Sequence, residues 1–186
     1  MNTAAQTNYQ GRPAADEYAS FYGDYIQRVE GERILEQLAE QSHDLVPWLK
    51  SLDENQVNRL HPPYHWTIKQ VLGHLIDAEK AFGYRAHRFA VGDATELAGY
   101  DHDRYVSDAN YDQVSFDDLV DEWAACRRAN QLFYRRLTPE SWMRRGTANE
   151  IEVSVRALAY LMVGHVNHHV GIIRQRVGEH QNRENP

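Results

Sequence analysis

Apolar residues recur every three or four positions along most of this chain, and no stretch alternates convincingly with period two. That periodicity predicts helices throughout. A first long helix is expected over 31–52, with Ile34, Leu35, Leu38, Leu45, Leu49 and Leu52 as its stripe. The run His61-Pro62-Pro63 breaks the chain. The second helix has a legible start: Thr67 is the N-cap, Gln70 completes a capping box, and Trp66 and Val71 occupy the staple positions. Its stripe is Ile68, Val71, Leu72, Leu75, Phe82 and Phe89, and it should stop near Gly92. Residues 93–114 form a long acidic connection that carries several tyrosines. A third helix starts at the cap Ser115 and runs past Leu119, Trp123, Cys126, Leu132 and Leu137, with Pro139 beyond its end. A fourth runs from near Ser154 to Val177, with Gly178 as the stop. Ahead of them, Tyr18, Phe21, Tyr22, Tyr25, Ile26 and Val29 predict a short aromatic helical arm, packed on the bundle or on a second subunit. Four main helices and one long connection, between helices two and three, make an all-α four-helix bundle.

Composition narrows the picture. A chain of 186 residues is most simply one domain. Residues 1–13 read as a disordered tail, 14–178 as the domain and 179–186 as a C-terminal tail. A net charge of −7 without a basic stripe sets nucleic acid aside as a partner. No apolar run approaches the length of a membrane span, and residues 1–15 hold no signal-peptide core, so the expected location is the cytoplasm. The lone cysteine, Cys126, excludes an intrachain disulfide and reads as a small buried hydrophobe.

The chemistry lies in histidines. His165 and His169 are spaced i, i+4 and fall within the apolar arc of helix four, whereas His168 falls outside it. Two buried imidazoles one turn apart must find hydrogen-bond partners or share an ion, and spacing alone leaves both readings open. His74, on the flank of helix two, has the small neighbours Gly73, Ala78 and Ala81, which leave room for an ion or a ligand. Three neutral imidazoles suit zinc or nickel and leave a coordination position open. Glu79 lies five residues beyond His74, about 140° round the helix, so it cannot share an ion with that histidine. Its expected role is a pair with Arg127 or Arg128, with catalysis as the alternative. Asp77 could orient His74 from behind. Asp101-His102-Asp103 has the make-up of a metal-ligand cluster, but the expected reading is a solvated acidic loop; Tyr100 and Tyr105 read as the rim of a substrate pocket. His168, Glu79 or a group from residues 93–114 would serve as general acid or base. No glycine-rich phosphate loop or Gly-x-Ser-x-Gly elbow is present, and Val166 stands where a His-Glu-x-x-His motif needs its glutamate.

The run Trp66-Thr67-Ile68-Lys69-Gln70-Val71-Leu72-Gly73-His74-Leu75-Ile76-Asp77-Ala78-Glu79, continued by Arg85, Phe89 and Gly92-Asp93, resembles helix two of the DinB-like (DinB/YfiT-like) metalloenzymes. Val155-Arg156-Ala157-Leu158-Ala159-Tyr160, followed by His165-Val166-Asn167-His168-His169, resembles helix four of that family. The likeness spans roughly residues 30–177. It departs from the family at Val170 and Ile172, where a glutamine or arginine often follows the second histidine of the pair. The resemblance implies an up-down-down-up bundle whose divalent metal is bound by His74, His165 and His169. It also implies a small-molecule substrate and an activity in which the ion activates water or a low-molecular-weight thiol, of hydrolase or S-transferase type. Family members are often dimers, so a homodimer is expected. The alternative is a non-enzymatic, dimeric stress or sensor protein with a structural ion.

Overall fold

Each predicted long helix forms, with boundaries set by local chemistry. The computed structural model describes the backbone of residues 9–184 and the side chains of residues 9–178. In chain order the helices and strands are α1 (Gly23–Gln27), α2 (Ile34–Lys50), α3 (Glu54–Asn58), α4 (Ile68–Ala90), α5 (His102–Asp108), α6 (Phe116–Arg135), α7 (Pro139–Met143), β1 (Arg145–Ala148), β2 (Ile151–Ser154) and α8 (Val155–Glu184). The capping box of α4 is in place: Thr67 Oγ1 accepts from the Gln70 amide at 3.1 Å, and Gln70 Oε1 accepts from the Thr67 amide at 2.9 Å. Ser115 Oγ caps α6 through the Asp118 amide at 3.1 Å.

The core consists of two apolar clusters. One gathers Ile34 and Leu38 of α2, Ala78 to Ala90 of α4, Tyr134 of α6 and Val155 to Val163 of α8. The other gathers Leu45 and Leu49 of α2, Ile68 to Ile76 of α4, Phe116 to Trp123 of α6 and Val166 to Val177 of α8. All four long helices cross between the clusters at polar residues: Gln41 and Ser42, Asp77 and Glu79, Arg127 to Gln131, and His165. Following each helix across that level gives its direction. α2 and α8 run one way, α4 and α6 the other, which is up-down-down-up. α4 packs on α6 and α8, and α2 packs on the same pair. Because the neighbours α4 and α6 are parallel, the chain between them must travel the length of the bundle. The long connection is that crossover, and its path takes it over the polar level.

Several expectations change. Tyr9 packs against Trp142, and Arg12 donates to the carbonyls of Ile26 and Val29, so residues 9–13 lie on the bundle; the rest of the expected N-terminal tail, residues 1–8, falls outside the described residues. The aromatic arm is not one helix. It is two 3-10 turns, Ala15–Glu17 and Ser20–Tyr22, followed by the five residues of α1. Tyr18, Tyr22 and Tyr25 pack into the chain's own core, whereas Phe21 is exposed. Helix α6 turns a different face inward than its apolar residues suggested. Leu132 is exposed and Cys126 half-buried, while Arg127, Gln131 and Tyr134 are buried. Pro139 opens α7 rather than only ending a helix. The antiparallel hairpin β1–β2 was not visible as alternation, because its strands are four residues long and its turn, Asn149-Glu150, lacks glycine although both φ angles are positive. The crossover is pinned to this hairpin: the Leu97 amide donates to the Thr147 carbonyl, and the Asn149 amide to the Leu97 carbonyl. Helix α8 passes through Gly178 to Glu184. A glycine stops a helix when it takes positive φ, and Gly178 does not, so the expected tail from residue 179 is helical backbone as far as Glu184.

Candidate metal centre

His74 comes from α4, and His165 and His169 come from the facing α8. The rings converge where the two apolar clusters meet. Nε2 of His165 lies 3.0 Å from Nε2 of His74 and 3.2 Å from Nε2 of His169. One ligand atom from each residue falls within 4.8 Å of the other two. His74 and His165 are buried and His169 is half-buried. Two glycines shape this level. A Cβ on Gly164 would strike the Tyr25 carbonyl, so the glycine lets α1 close on α8 beside His165. A Cβ on Gly73 would strike the Tyr111 ring, so the space beside His74 that the small residue suggested for an ion is filled by a tyrosine.

The electrostatics keep all three rings neutral. Burial, followed by the neighbouring histidines, lowers His165 well below the usual imidazole value. Burial pulls His74 to about 4 and His169 to about 3. A neutral imidazole has one N–H and one lone pair, so Nε2 of His165 cannot satisfy two other ring nitrogens at once. A cation resolves that conflict. Two nitrogens bound to a tetrahedral zinc-type ion at about 2.0–2.1 Å stand about 3.3 Å apart, close to the spacings found here. The donor set therefore fits a borderline divalent metal.

The centre opens onto a cavity of about 430 Å³. Trp66, Phe82, Tyr22 and Tyr25 line it together with Arg85, Tyr100, His102 and the three histidines. The Trp66 ring packs on His74 at 5.2 Å between centroids. His102, at the start of α5 in the crossover, places its ring 5.8 Å from that of His74. Asp101 caps α5 by accepting from the Arg104 amide at 3.1 Å. The Asp101-His102-Asp103 stretch is solvated, as expected, but it is helical, and its histidine faces the cavity.

The other expected site residues divide. Tyr100 lines the cavity; Tyr105, with its ring 4.9 Å from that of Tyr100, lines a second cavity of about 620 Å³ next door. Asp77 does not orient His74: Nδ1 of His74 has no hydrogen-bond partner, and neither has Oδ2 of Asp77, whose carboxyl lies near Tyr111. His168 is half-buried against the Tyr25 ring and does not line the cavity. Glu79 is closed off from it, held by Arg127 Nε at 2.8 Å and by Asn130 Nδ2 at 2.8 Å. The pairing with Arg127 is thus the expected one, and the catalytic alternative for Glu79 loses its geometry. Sequence reasoning missed His102 and Arg85 as lining residues. The available signal was that a crossover between parallel neighbours must pass the middle of the bundle.

Comparisons with known proteins fit this architecture. Among curated proteins, none matches the sequence. In structure, the chain is similar to YfiT from Bacillus subtilis, described as a probable metal-dependent hydrolase with an unusual four-helix bundle topology. The TM-score is 0.70 at 15% sequence identity, over 94% of this chain and 98% of that one, and at that identity the likeness speaks for the fold. The family model described as the DinB superfamily matches residues 37–173, a span that holds His74, His165 and His169, and the chain belongs to that superfamily.

Proposed function

We propose that this protein is a metal-dependent hydrolase of a small molecule, with zinc or nickel held by His74, His165 and His169. The observation that carries the reading is the convergence of three neutral Nε2 atoms at the wall of a substrate-sized cavity. When bound, such an ion lowers the pKa of a water or thiol ligand and polarises a carbonyl oxygen. The chain supplies the rest. Trp66 and Phe82 exclude water on one side and give an apolar wall to the substrate. His102 faces the centre from the crossover, and as an exposed imidazole it can take up a proton from the nucleophile and return it to the leaving group. A low-molecular-weight thiol is the other nucleophile compatible with this donor set. The non-enzymatic reading, an ion that only stabilises the bundle, is disfavoured by the cavity, since a structural site is closed by protein ligands.

The test is hydrolysis of p-nitrophenyl acetate, and conjugation of cysteine to chlorodinitrobenzene, by wild type and His165→Ala with and without a chelator. Activity should disappear on chelation and return with zinc or nickel. Undiminished turnover in His165→Ala would overturn the reading.

A further inference from the structure

Four arginines are buried among the described residues, and three have evident counterparts. Arg127 faces Glu79, and Arg156 faces Glu17. Arg176 donates to the Trp66 carbonyl at 2.8 Å and stacks on the Tyr64 ring. Arg85 differs. It is 8% exposed, it lies near Tyr22, and although Asp77 and Glu96 line the same cavity, no carboxylate among the described residues forms an ion pair with it. A guanidinium is always charged, and because Arg85 borders two cavities rather than being sealed in the core, its five donors are open to a partner from outside the chain.

Its position says what that partner is. Arg85, Gly99 and Tyr100 border both the histidine cavity and the second, larger one. The other cations lining the larger cavity are already paired, Lys80 with Glu122 and Arg88 with Asp93. We infer that Arg85 is the anchor for an anionic group, a carboxylate or a phosphate, on a substrate whose reacting end lies at the three histidines. The planar fork of arginine binds either oxyanion through two parallel hydrogen bonds. Tyr22 and Tyr100 flank it with hydroxyls, and Leu97 and Ala81 offer apolar surface to the body of the molecule. The location of the reacting end rests on the hydrolase reading; the anion site does not.

The experiment uses succinate and inorganic phosphate as probes and neutral succinamide as the control, by calorimetry on metal-loaded protein. Wild type should bind one of the two anions and not succinamide. Arg85→Met should weaken that binding by about tenfold or more, and Arg85→Lys, which keeps charge but not the fork, by less. Metal content should be the same in all three. Preference for succinate identifies a carboxylate substrate, and preference for phosphate a phosphate ester. To keep the anion from reporting the ion, the titration is repeated in His165→Ala. Arg85-dependent binding that survives there supports the anchor even if no metal is ever found, a result that would sink the hydrolase reading alone. Should wild type bind neither anion, or Arg85→Met bind as well as wild type, the inference is overturned. A shift of the Arg85 Nε–H resonance in wild type on adding the anion gives a second readout that does not depend on a variant folding.

Discussion

Two buried polar clusters share helix α4, five residues apart, and they answer the same physical problem in opposite ways. Around Glu79 the network is closed. Arg127 covers one carboxylate oxygen, Asn130 the other, and the remaining Arg127 nitrogen reaches Gln41 at 2.5 Å. Gln41 in turn donates to Asn167 at 2.7 Å and to the Val163 carbonyl, tying α2, α4, α6 and α8 together at one level. Around His74 the network is open: Nε2 of His165 faces two other ring nitrogens and can make a hydrogen bond with only one, and a cavity adjoins them. Burial and polarity are common to both clusters. What separates architecture from a site is satisfaction, because the closed network needs nothing more and the open one needs a cation.

The closed network should be the more damaging one to break. Arg127→Met strands a buried carboxylate, and a loss of about 3–5 kcal/mol in urea unfolding is expected. The double variant Glu79→Gln/Arg127→Met should recover part of that loss, since the unpaired charge is gone. An unchanged midpoint in Arg127→Met would mean that the pair is not the tie between the helices.

Acid should reveal the open cluster. In the metal-free protein the histidine pKa values are lowered by folding, so below about pH 6.5 the unfolded chain takes up more protons than the folded one. Stability is therefore complete above that pH and falls as pH drops towards the folded values, about 4 for His74 and about 3 for His169. For His74 the loss is on the order of 2 kcal/mol between pH 6.5 and pH 5. His74→Gln should flatten that slope, and a slope that stays the same would place the acid sensitivity elsewhere.

Gly73→Ala probes the wall of the site. The added methyl group meets Tyr111, so a loss of about 1–3 kcal/mol is expected. Tyr111→Leu in the same chain should relieve it; a stable Gly73→Ala would show that the ring has room to move. The smallest effect belongs to Asp77→Asn. Because Asp77 does not touch His74, metal affinity should stay within about threefold of wild type, against the 10–100-fold loss typical of a carboxylate that orients a ligand. A loss in that larger range would restore Asp77 to the role its spacing first suggested.

Much of this was legible in the chain. The capping box at Thr67 and Gln70 set the register of α4, and with it the face that carries His74. The i, i+4 pair on α8 supplied the rest of the donor set. What stayed hidden depends on tertiary arrangement. Arg127 and Gln131 interrupt the apolar pattern of α6 at the level where it is most deeply buried, so periodicity pointed to Leu132 instead. His102 belongs to the site because a crossover between parallel helices must pass the bundle's middle, and no local signal records that. Arg85 stands out because it borders both cavities without a carboxylate partner, which requires knowing the tertiary arrangement.

The most direct measurement of the central claim is anomalous diffraction from crystals of metal-loaded protein, collected above and below the zinc and nickel edges, together with elemental analysis in solution. The account predicts one ion per chain, about 2.0–2.1 Å from Nε2 of His74, His165 and His169, with its remaining position turned towards the cavity and no ion in His165→Ala. Protein that takes up no stoichiometric metal, or an ion whose fourth position is filled by another side chain of the protein, would contradict it.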